Sequence, residues 1–281
     1  MKKVCAFLFG LVVLAVLISL IMTLMNKTSL KEKVGLVRIE GVILDPKNIV
    51  DEIREYAKDS SIRAIVIRVD SPGGGVAPSQ EIYEEVKKAE KKKRVVVSMG
   101  SVAASGGYYV SCPADRIVAN PGTLTGSIGV IMEIPNIEGL MKKIGVKTEV
   151  IKSGKYKDIA SAFRAMAPQE RQILQGVLDD VHEQFIRAVA DGRKMKFDAV
   201  KELADGRIFT GRQAKAIGLV DELGDLEDAI RLAAKLGGIK GEPAVEQKKE
   251  RFTILDLIRG KFPKEFQNII PGARLEYLFS P

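Results

Sequence analysis

Apolar residues recur along the chain with two different periods, which predict alternating strands and helices. Val34–Ile39, Ala64–Val69 and Val95–Ser98 are predicted strands. The β-branched run Val95–Val97 is typical of a buried strand, and Ala64–Val69 has the pattern of a strand buried on both faces of a parallel sheet. Between them, Pro46–Lys58 and Pro78–Lys91 carry apolar residues three or four positions apart, which predicts helices packed on that sheet. A strand followed repeatedly by a helix predicts an α/β fold with right-handed crossovers.

The second half of the chain has mainly the helical period. The longest predicted helix is Gln169–Ala190, whose apolar residues from Ile173 to Val189 share one face. Shorter helices are predicted at Pro135–Ile144, Asp198–Ala204, Gly211–Ala216 and Leu226–Leu236, with short strands at Ile117–Ala119 and Thr148–Ile151. The polar stretch Gly237–Arg251 is expected to be a loose connector to an apolar tail.

The first residues have the pattern of a membrane anchor. Val4–Met25 contains no charge, and at ~1.5 Å per residue it can span a bilayer core of ~30 Å. The run exceeds the apolar core of a cleavable signal peptide, and no small-x-small cleavage site follows it. We therefore expect a transmembrane helix at residues 1–26, a linker at 27–33, a globular domain at 34–240 and a tail at 241–281. Lysines on both sides of the run leave its orientation open.

Composition and charge then narrow the function classes. The 281 residues carry a net charge of +8, but lysine alternates with acidic residues and no aromatic-laced basic face occurs, so nucleic-acid binding is not expected. There is neither a phosphate-binding glycine loop nor a run of residues at metal-ligand spacing, so we expect no cofactor and no metal. Cys5 and Cys112 do not form a disulfide framework.

Two glycine-rich turns follow neighbouring predicted strands. Ser71–Gly75 reads S-P-G-G-G and Ala103–Gly107 reads A-A-S-G-G, and parallel strands bring such turns to one edge of the sheet. A serine between a strand and a helix lies beside backbone N–H groups that can bind an oxyanion. We predict Ser105 as a nucleophile, with an oxyanion hole formed by the N–H groups of Gly74 and Gly106. Taken singly, each turn also fits a plain helix start or a flexible loop.

The side chains that could act as a general base restrict the chemistry further. His182 is the single histidine, it lies among acidic residues of the longest predicted helix, and it is not expected to be catalytic. Lysine is the remaining base for a serine, provided that burial lowers its pKa from ~10.4. Lys152, Lys155 and Lys157 lie together in I-K-S-G-K-Y-K-D-I, and their spacing does not choose between them.

Five motifs, in order, resemble the signal peptide peptidase A family of membrane-bound serine proteases, also called protease IV. These motifs are D-S-P-G-G-G at Asp70–Gly75, A-A-S-G-G-Y-Y at Ala103–Tyr109, A-N-P-G-T-L-T-G-S-I-G-V at Ala119–Val130, S-G-K-Y-K-D-I at Ser153–Ile159 and G-R-I-F-T-G-R-Q-A-K-A-I-G-L-V-D at Gly206–Asp221. The resemblance covers roughly residues 34–236 and implies a Clp-protease/crotonase-like fold with a Ser-Lys dyad.

The resemblance also implies a role for single residues. Ser105 would be the nucleophile and Lys157 the general base, while Ser127 would orient the lysine and Gly74 would supply an oxyanion N–H. A single catalytic repeat implies the short form of the family, a ring-shaped homo-oligomer in which serine and lysine come from one chain or from adjacent subunits. The catalytic domain would lie outside the cytoplasmic membrane and degrade cleaved signal peptides.

Three other functions compete with this interpretation. A related membrane protease, of the stomatin-operon or SohB-like kind, would share the dyad and act on another protein. A crotonase-type acyl-CoA enzyme would need an acidic acid/base and leave Ser105 without a role. A non-catalytic membrane scaffold would not need the combination of serine, lysine and glycines.

The apolar C-terminus is expected to be covered. Leu275, Tyr277, Leu278 and Phe279 would be a liability on a soluble surface. We expect the segment to pack on the body or on a neighbouring subunit, and one form of that packing is an added strand along the substrate groove.

Overall fold

A computed structural model describes residues 32–248 and 276–278, and its elements confirm the predicted α/β class. The strands are β1 (Lys33–Glu40), β2 (Ile62–Ser71), β3 (Gly73–Gly75), β4 (Arg94–Ala104), β5 (Arg116–Ala119), β6 (Leu124–Gly126), β7 (Ile208–Thr210), β8 (Glu222–Leu223), β9 (Ala244–Glu246) and β10 (Glu276–Leu278). The helices are α1 (Lys47–Lys58), α2 (Val76–Glu90), α3 (Gly106–Ser111), α4 (Glu138–Lys143), α5 (Pro168–Arg193), α6 (Phe197–Leu203), α7 (Gly211–Ala216) and α8 (Leu226–Leu236). The expected anchor at residues 1–26 lies outside the described residues. Between residues 32 and 248, no helix is long and apolar enough to cross a membrane.

One predominantly parallel sheet forms the centre of the described residues. Its strand order is β7-β6-β4-β2-β1-β9, and β5 and β8 extend it from the side of β4. Each of β2, β5 and β6 runs parallel to β4, whereas β7 is antiparallel to β6. The long strand β4 therefore joins β5 through its first half and β6 through its last three residues, which brings the end of β4 beside β6.

Both faces of the sheet are buried, as the β-branched runs predict. Along β1 and β2, Leu36 and Val66 face a cluster under α8, while Val37 and Ile67 face a larger cluster that includes α1, α2 and α3. Successive side chains of a strand point to opposite faces, so a strand covered by helices on both sides must be apolar throughout. Because the strands are packed on both faces, their ends, where the candidate site lies, are held in place.

An irregularity in β4 shapes the approach to the site. Val69 pairs with Met99 but Ser71 pairs with Ala103, so β4 contains two more residues than β2 over this stretch. The carboxylate of Asp70 accepts a hydrogen bond from the backbone N–H of Val102 (3.1 Å), inside the bulge. Such a bulge bends the strand and redirects the residues that follow.

Two of the predicted elements are wrong. The expected strand at Thr148–Ile151 is absent; its four residues are exposed and pair with no strand of the described part, so β-branched residues had no sheet edge to join. The loose connector expected at Gly237–Arg251 is wrong for its central residues, because β9 pairs in parallel with β1. There the open edge of β1, rather than a periodic sequence, makes the strand.

A short strand from the C-terminal tail joins a second sheet. Residues Glu276–Leu278 form β10, antiparallel to β3, with Tyr277 opposite Gly74. Among the arrangements expected for the tail, packing on the body as an added strand is the one found for these residues.

Candidate active site

Ser105 lies in the strained turn between β4 and α3. Its backbone has φ 54° and ψ −118°, a conformation that L-residues rarely adopt and that costs of order 1–3 kcal/mol. The residue is 1% exposed, and its backbone N–H donates to the carbonyl of Gly126 (2.8 Å). Strain of this kind is typical of a serine held at a strand-to-helix turn for nucleophilic attack.

The two glycine-rich turns are in contact, as predicted from their strands. A Cβ placed on Gly106 would lie 3.2 Å from the backbone nitrogen of Gly74 and 2.7 Å from Ser79 Oγ. A Cβ on Gly74 would lie 2.2 Å from the carbonyl oxygen of Ile43, so neither turn has room for a side chain. Gly106 is also the first residue of α3, so its N–H has no partner within the helix. Backbone N–H groups from both turns can therefore approach one ligand.

The strand β3 is held from one side by Ile43. The N–H of Ile43 donates to Gly73 O (2.8 Å), and the N–H of Gly75 donates to Ile43 O (2.8 Å). Since successive residues of a strand direct their N–H and C=O groups to opposite edges, those of Gly74 face the other edge, where β10 pairs.

Two buried serines hold β3 in place, and the sequence pattern predicted a role for neither. Ser79 Oγ donates to Gly75 O (2.8 Å), and the N–H of Gly73 donates to Ser71 Oγ (3.1 Å). The available signal for Ser79 was a polar residue in the first turn of a helix, directly after the glycines. These bonds fix the strand that presents Gly74.

Ser127 lies next to Ser105 because β6 runs beside β4. Ala104 pairs with Gly126, so each serine directly follows one member of that pair. Ser127 has φ 51°, is 8% exposed, and its N–H donates to the carbonyl of Arg207 (2.9 Å). The structure thus places both predicted serines together, each in a left-handed conformation.

The three candidate lysines have different surroundings. The ammonium of Lys152 contacts the carboxylate of Asp158 and donates to Lys155 O (3.1 Å). Lys155 Nζ lies 5.1 Å from the centre of the Tyr156 ring. The exposed side chain of Lys157 makes no hydrogen bond or ion pair with any residue between 32 and 248. Among residues 32–248, the ammonium groups of Lys155 and Lys157 both lack a hydrogen-bond or ion-pair partner, and no contact joins Lys157 to Ser105 or Ser127 within one chain.

A cluster of charged side chains follows Lys157. Hydrogen bonds from Arg164 lower the pKa of Glu170 from its usual 4.5 to about 2. Arg164, together with Lys152, also holds the pKa of Asp158 well below its usual range. Both carboxylates are therefore charged at neutral pH, and the turn carrying Lys157 lies against a fixed arrangement of charges.

His182 takes no part in this arrangement. It is half-buried on α5, and its Nε2 atom is buried without a hydrogen-bond partner among the described residues. Between residues 32 and 248, and in 276–278, no group of three or more His, Cys, Asp or Glu could hold a metal ion.

Comparison with known proteins identifies the chain as a serine peptidase. Residues 87–240, more than half of the chain, match the sequence profile of Peptidase family S49. The chain belongs to peptidase family S49, and its relatives include proteins named protease 4, as the five sequence motifs predicted.

Individual relatives differ in how much of their length the chain covers. It is 46% identical, over 76% of its own residues and 77% of the relative, to a protein of Synechocystis sp. named as a candidate protease. It is 37% identical to Protease 4 of Salmonella typhi over 88% of this chain, but spans only 41% of that protein. Serine protease SPPA from the chloroplast of Arabidopsis thaliana is 34% identical over 79% of this chain and 34% of its own length.

A solved structure of a ClpP1 variant from Listeria monocytogenes also matches. It is 19% identical in sequence, covers 69% of this chain and 94% of its own, and has a TM-score of 0.48.

Proposed function

We propose that the chain is a membrane-anchored serine endopeptidase that degrades cleaved signal peptides with Ser105 and Lys157. The observation that carries the proposal is the buried, strained serine beside two glycine turns whose backbones touch. Membership of peptidase family S49 and the names of its relatives support the same chemistry.

The proposed residues act in sequence. Lys157 takes the proton from Ser105 Oγ while that oxygen attacks the peptide carbonyl carbon. The N–H groups of Gly74 and Gly106 bind the resulting oxyanion. The lysine ammonium then protonates the leaving amine, and water hydrolyses the acyl-enzyme by the same route. Ser127, next to Ser105, orients the lysine through its hydroxyl.

The position of Lys157 favours a site completed by a second copy of the chain. A lysine base works where its ammonium is out of water, yet Lys157 is exposed in one chain. Large apolar side chains of the same region are also exposed, among them Leu140 (57%), Ile144 (62%) and Ile151 (101%). A homo-oligomer, of the ring type implied by the family, would cover this surface and bring the lysine to a neighbouring serine.

The proposed location follows from the N-terminal pattern. Residues 1–26 would cross the cell membrane once, and residues 27–33 would link to a Clp-protease/crotonase-like catalytic domain outside the cytoplasm. That domain was expected at 34–240 but extends to β9, which pairs with β1, and the residues after β9 would form the tail. Signal peptides left in the bilayer would then lie within reach of the site, so the lipid bilayer and membrane-associated peptides are the expected partners.

The dyad is tested with single variants of the full-length chain. Ser105→Ala and Lys157→Ala should each abolish peptide hydrolysis with unchanged thermal stability, and the double variant should be no worse, because the two residues act as a unit. A fluorophosphonate probe should label the native chain and not Ser105→Ala. Lys155→Ala, a lysine of the same turn, is the matched control and should keep its activity. Activity in Lys157→Ala would contradict the assignment of the base.

Mixing the two inactive variants distinguishes the sources of the lysine. In a randomly mixed oligomer, a Lys157→Ala chain beside a Ser105→Ala chain has an intact site, so about a quarter of the sites should recover. A mixture that stays inactive after subunit exchange would show that serine and lysine come from one chain.

A further inference from the structure

Arg164 ties the turn that carries Lys157 to the first turn of α5. Its Nε donates to Asp158 Oδ2 (2.8 Å), and its two Nη atoms donate to Glu170 Oε2 (2.7 Å) and Oε1 (2.5 Å). The two remaining N–H groups donate to the carbonyls of Asp158 and Ala165, both at 3.1 Å. A planar guanidinium with all five donors engaged fixes its partners in one geometry.

Packing in the core cannot hold the lysine turn. Residues 151–157 are all exposed, so none of their side chains anchors the turn below the surface. Asp158 follows Lys157 directly, and Arg164 binds both its carboxylate and its carbonyl, while Lys152 contacts the other carboxylate oxygen. The position of the turn therefore depends on polar contacts, and Arg164 makes the two that connect Asp158 to the group that also binds Glu170.

Arg164, Asp158 and Glu170 form a clamp, and its Glu170 end belongs to the rigid helix α5. The side chain of Glu170 is 5% exposed, and the N–H of Ala167 donates to its Oε2 (2.9 Å) at the start of α5. The later turns of α5 bury Phe185 and Val189 in the larger core cluster. Arg164 thus connects the exposed turn that carries Lys157 to a helix that is packed in the core.

We infer that Arg164 is a positioning residue for Lys157, holding its turn where the ammonium reaches the serine hydroxyl of the assembled site. The inference rests on the proposed role of Lys157 as the base. The Arg164→Lys variant would keep the positive charge. Its single ammonium would replace the planar guanidinium with five N–H donors, so it could not hold Asp158 and Glu170 together.

The test compares steady-state kinetics of Arg164→Gln and Arg164→Lys with the native full-length chain. Since misplacement by about 1 Å can cost about 100-fold, kcat should fall about 10- to 100-fold in both variants, with KM within about twofold. Arg231→Gln is the matched control, because Arg231 also pairs with a carboxylate, Asp228, but on α8, which contributes no site residue. Its kcat should stay within about twofold.

Failure of this inference and failure of the proposed dyad give different results. A kcat within twofold of the native value in both Arg164 variants, or a loss that matches the unfolded fraction in a melting curve, would overturn the inference while leaving the dyad intact. If Arg164→Gln does not fold, Glu170→Gln is the second variant, because it removes the charge of the carboxylate that Arg164 binds on α5. An unchanged kcat in Glu170→Gln would also overturn the inference. Full activity in Lys157→Ala would instead refute the proposed base, and with it this inference.

Discussion

Two separate constraints exclude a side chain at Gly74. Its φ of 156° belongs to the region that favours glycine, and a Cβ would lie 2.2 Å from the carbonyl oxygen of Ile43. That carbonyl is the acceptor that holds Gly75, so relief of the overlap would move β3 away from its partner. The same residue is the proposed oxyanion donor, so backbone shape and chemistry depend on one position.

Gly74→Ala is therefore expected to lower kcat/KM about 100- to 1,000-fold, the effect of losing one oxyanion donor. Peptide hydrolysis by the full-length variant measures it, with thermal unfolding to check the fold. Gly122→Ala is the control, because a Cβ at that loop position meets no atom within 4 Å. Equal losses in the two variants, or none at Gly74, would contradict the role of β3.

At the site, the sequence predicted which turns meet, while the catalytic roles of their residues stay predictions. Ser105, Gly74 and Gly106 follow directly from parallel strands and tight turns, and the structure brings their backbones together. The sequence could not distinguish among the three lysines, because their surroundings depend on contacts across the turn, such as that of Lys152 with Asp158. Ser79 was missed because a polar residue early in a helix is commonly exposed.

At the scale of elements, local signals decided which predictions were accurate. The bounds of α7 and α8 were predicted without error, and both helices begin at capping boxes, Thr210 with Gln213 and Asp225 with Asp228. The strand β9 was missed because three residues carry no periodicity and depend on the free edge of β1. Elements defined by their own sequence were predictable, whereas those defined by a neighbour were not.

The start of α5 gives a prediction about pH. The pKa of Glu170 is about 2 in the folded chain against an ordinary 4.5, mainly because Arg164 donates to it. A lowered carboxyl pKa stabilises the fold fully above the ordinary value, and the effect disappears as pH falls through the folded value. The melting temperature of the native chain should thus exceed that of Glu170→Gln at pH 6, with a gap that narrows between pH 4.5 and 2.

Glu183→Gln is the control for this series, since Glu183 is an exposed partner of Arg187 on the same helix. Its melting temperature should differ little from that of the native chain at every pH, as is usual for exposed ion pairs. A gap for Glu170→Gln that stays constant down to pH 2 would show that the effect does not come from the carboxylate charge.

At the scale of the whole molecule, the C-terminal strand lies on the edge of β3 that Gly74 faces. An extended peptide can add to a sheet edge in the same way, and in the proposed peptidase the substrate would pair at the edge that β10 occupies. Removal of residues 274–281 should therefore leave the melting temperature unchanged and speed the cleavage of small peptides. Both are measured on the full-length and truncated chains.

Tyr277→Pro is a second variant that keeps the chain length. Proline has no N–H to donate to the ladder, so this change should disturb pairing with Gly74 and speed cleavage as the truncation does. A lower melting temperature or loss of assembly, without faster cleavage, would mean that the strand only covers the body of the protein.

With Ile43 on one edge and β10 on the other, β3 has both edges occupied, so in the proposed peptidase the capture of a peptide at this edge would be an exchange of strands. An incoming segment that replaces β10 residue for residue gains backbone hydrogen bonds only as the tail loses the same number. The net free energy of the ladder is then close to zero, and discrimination between peptides comes from side chains and chain ends. Any extended polypeptide could bind a bare edge, whereas an edge already filled admits only a segment that pairs with β3 more favourably than β10 does.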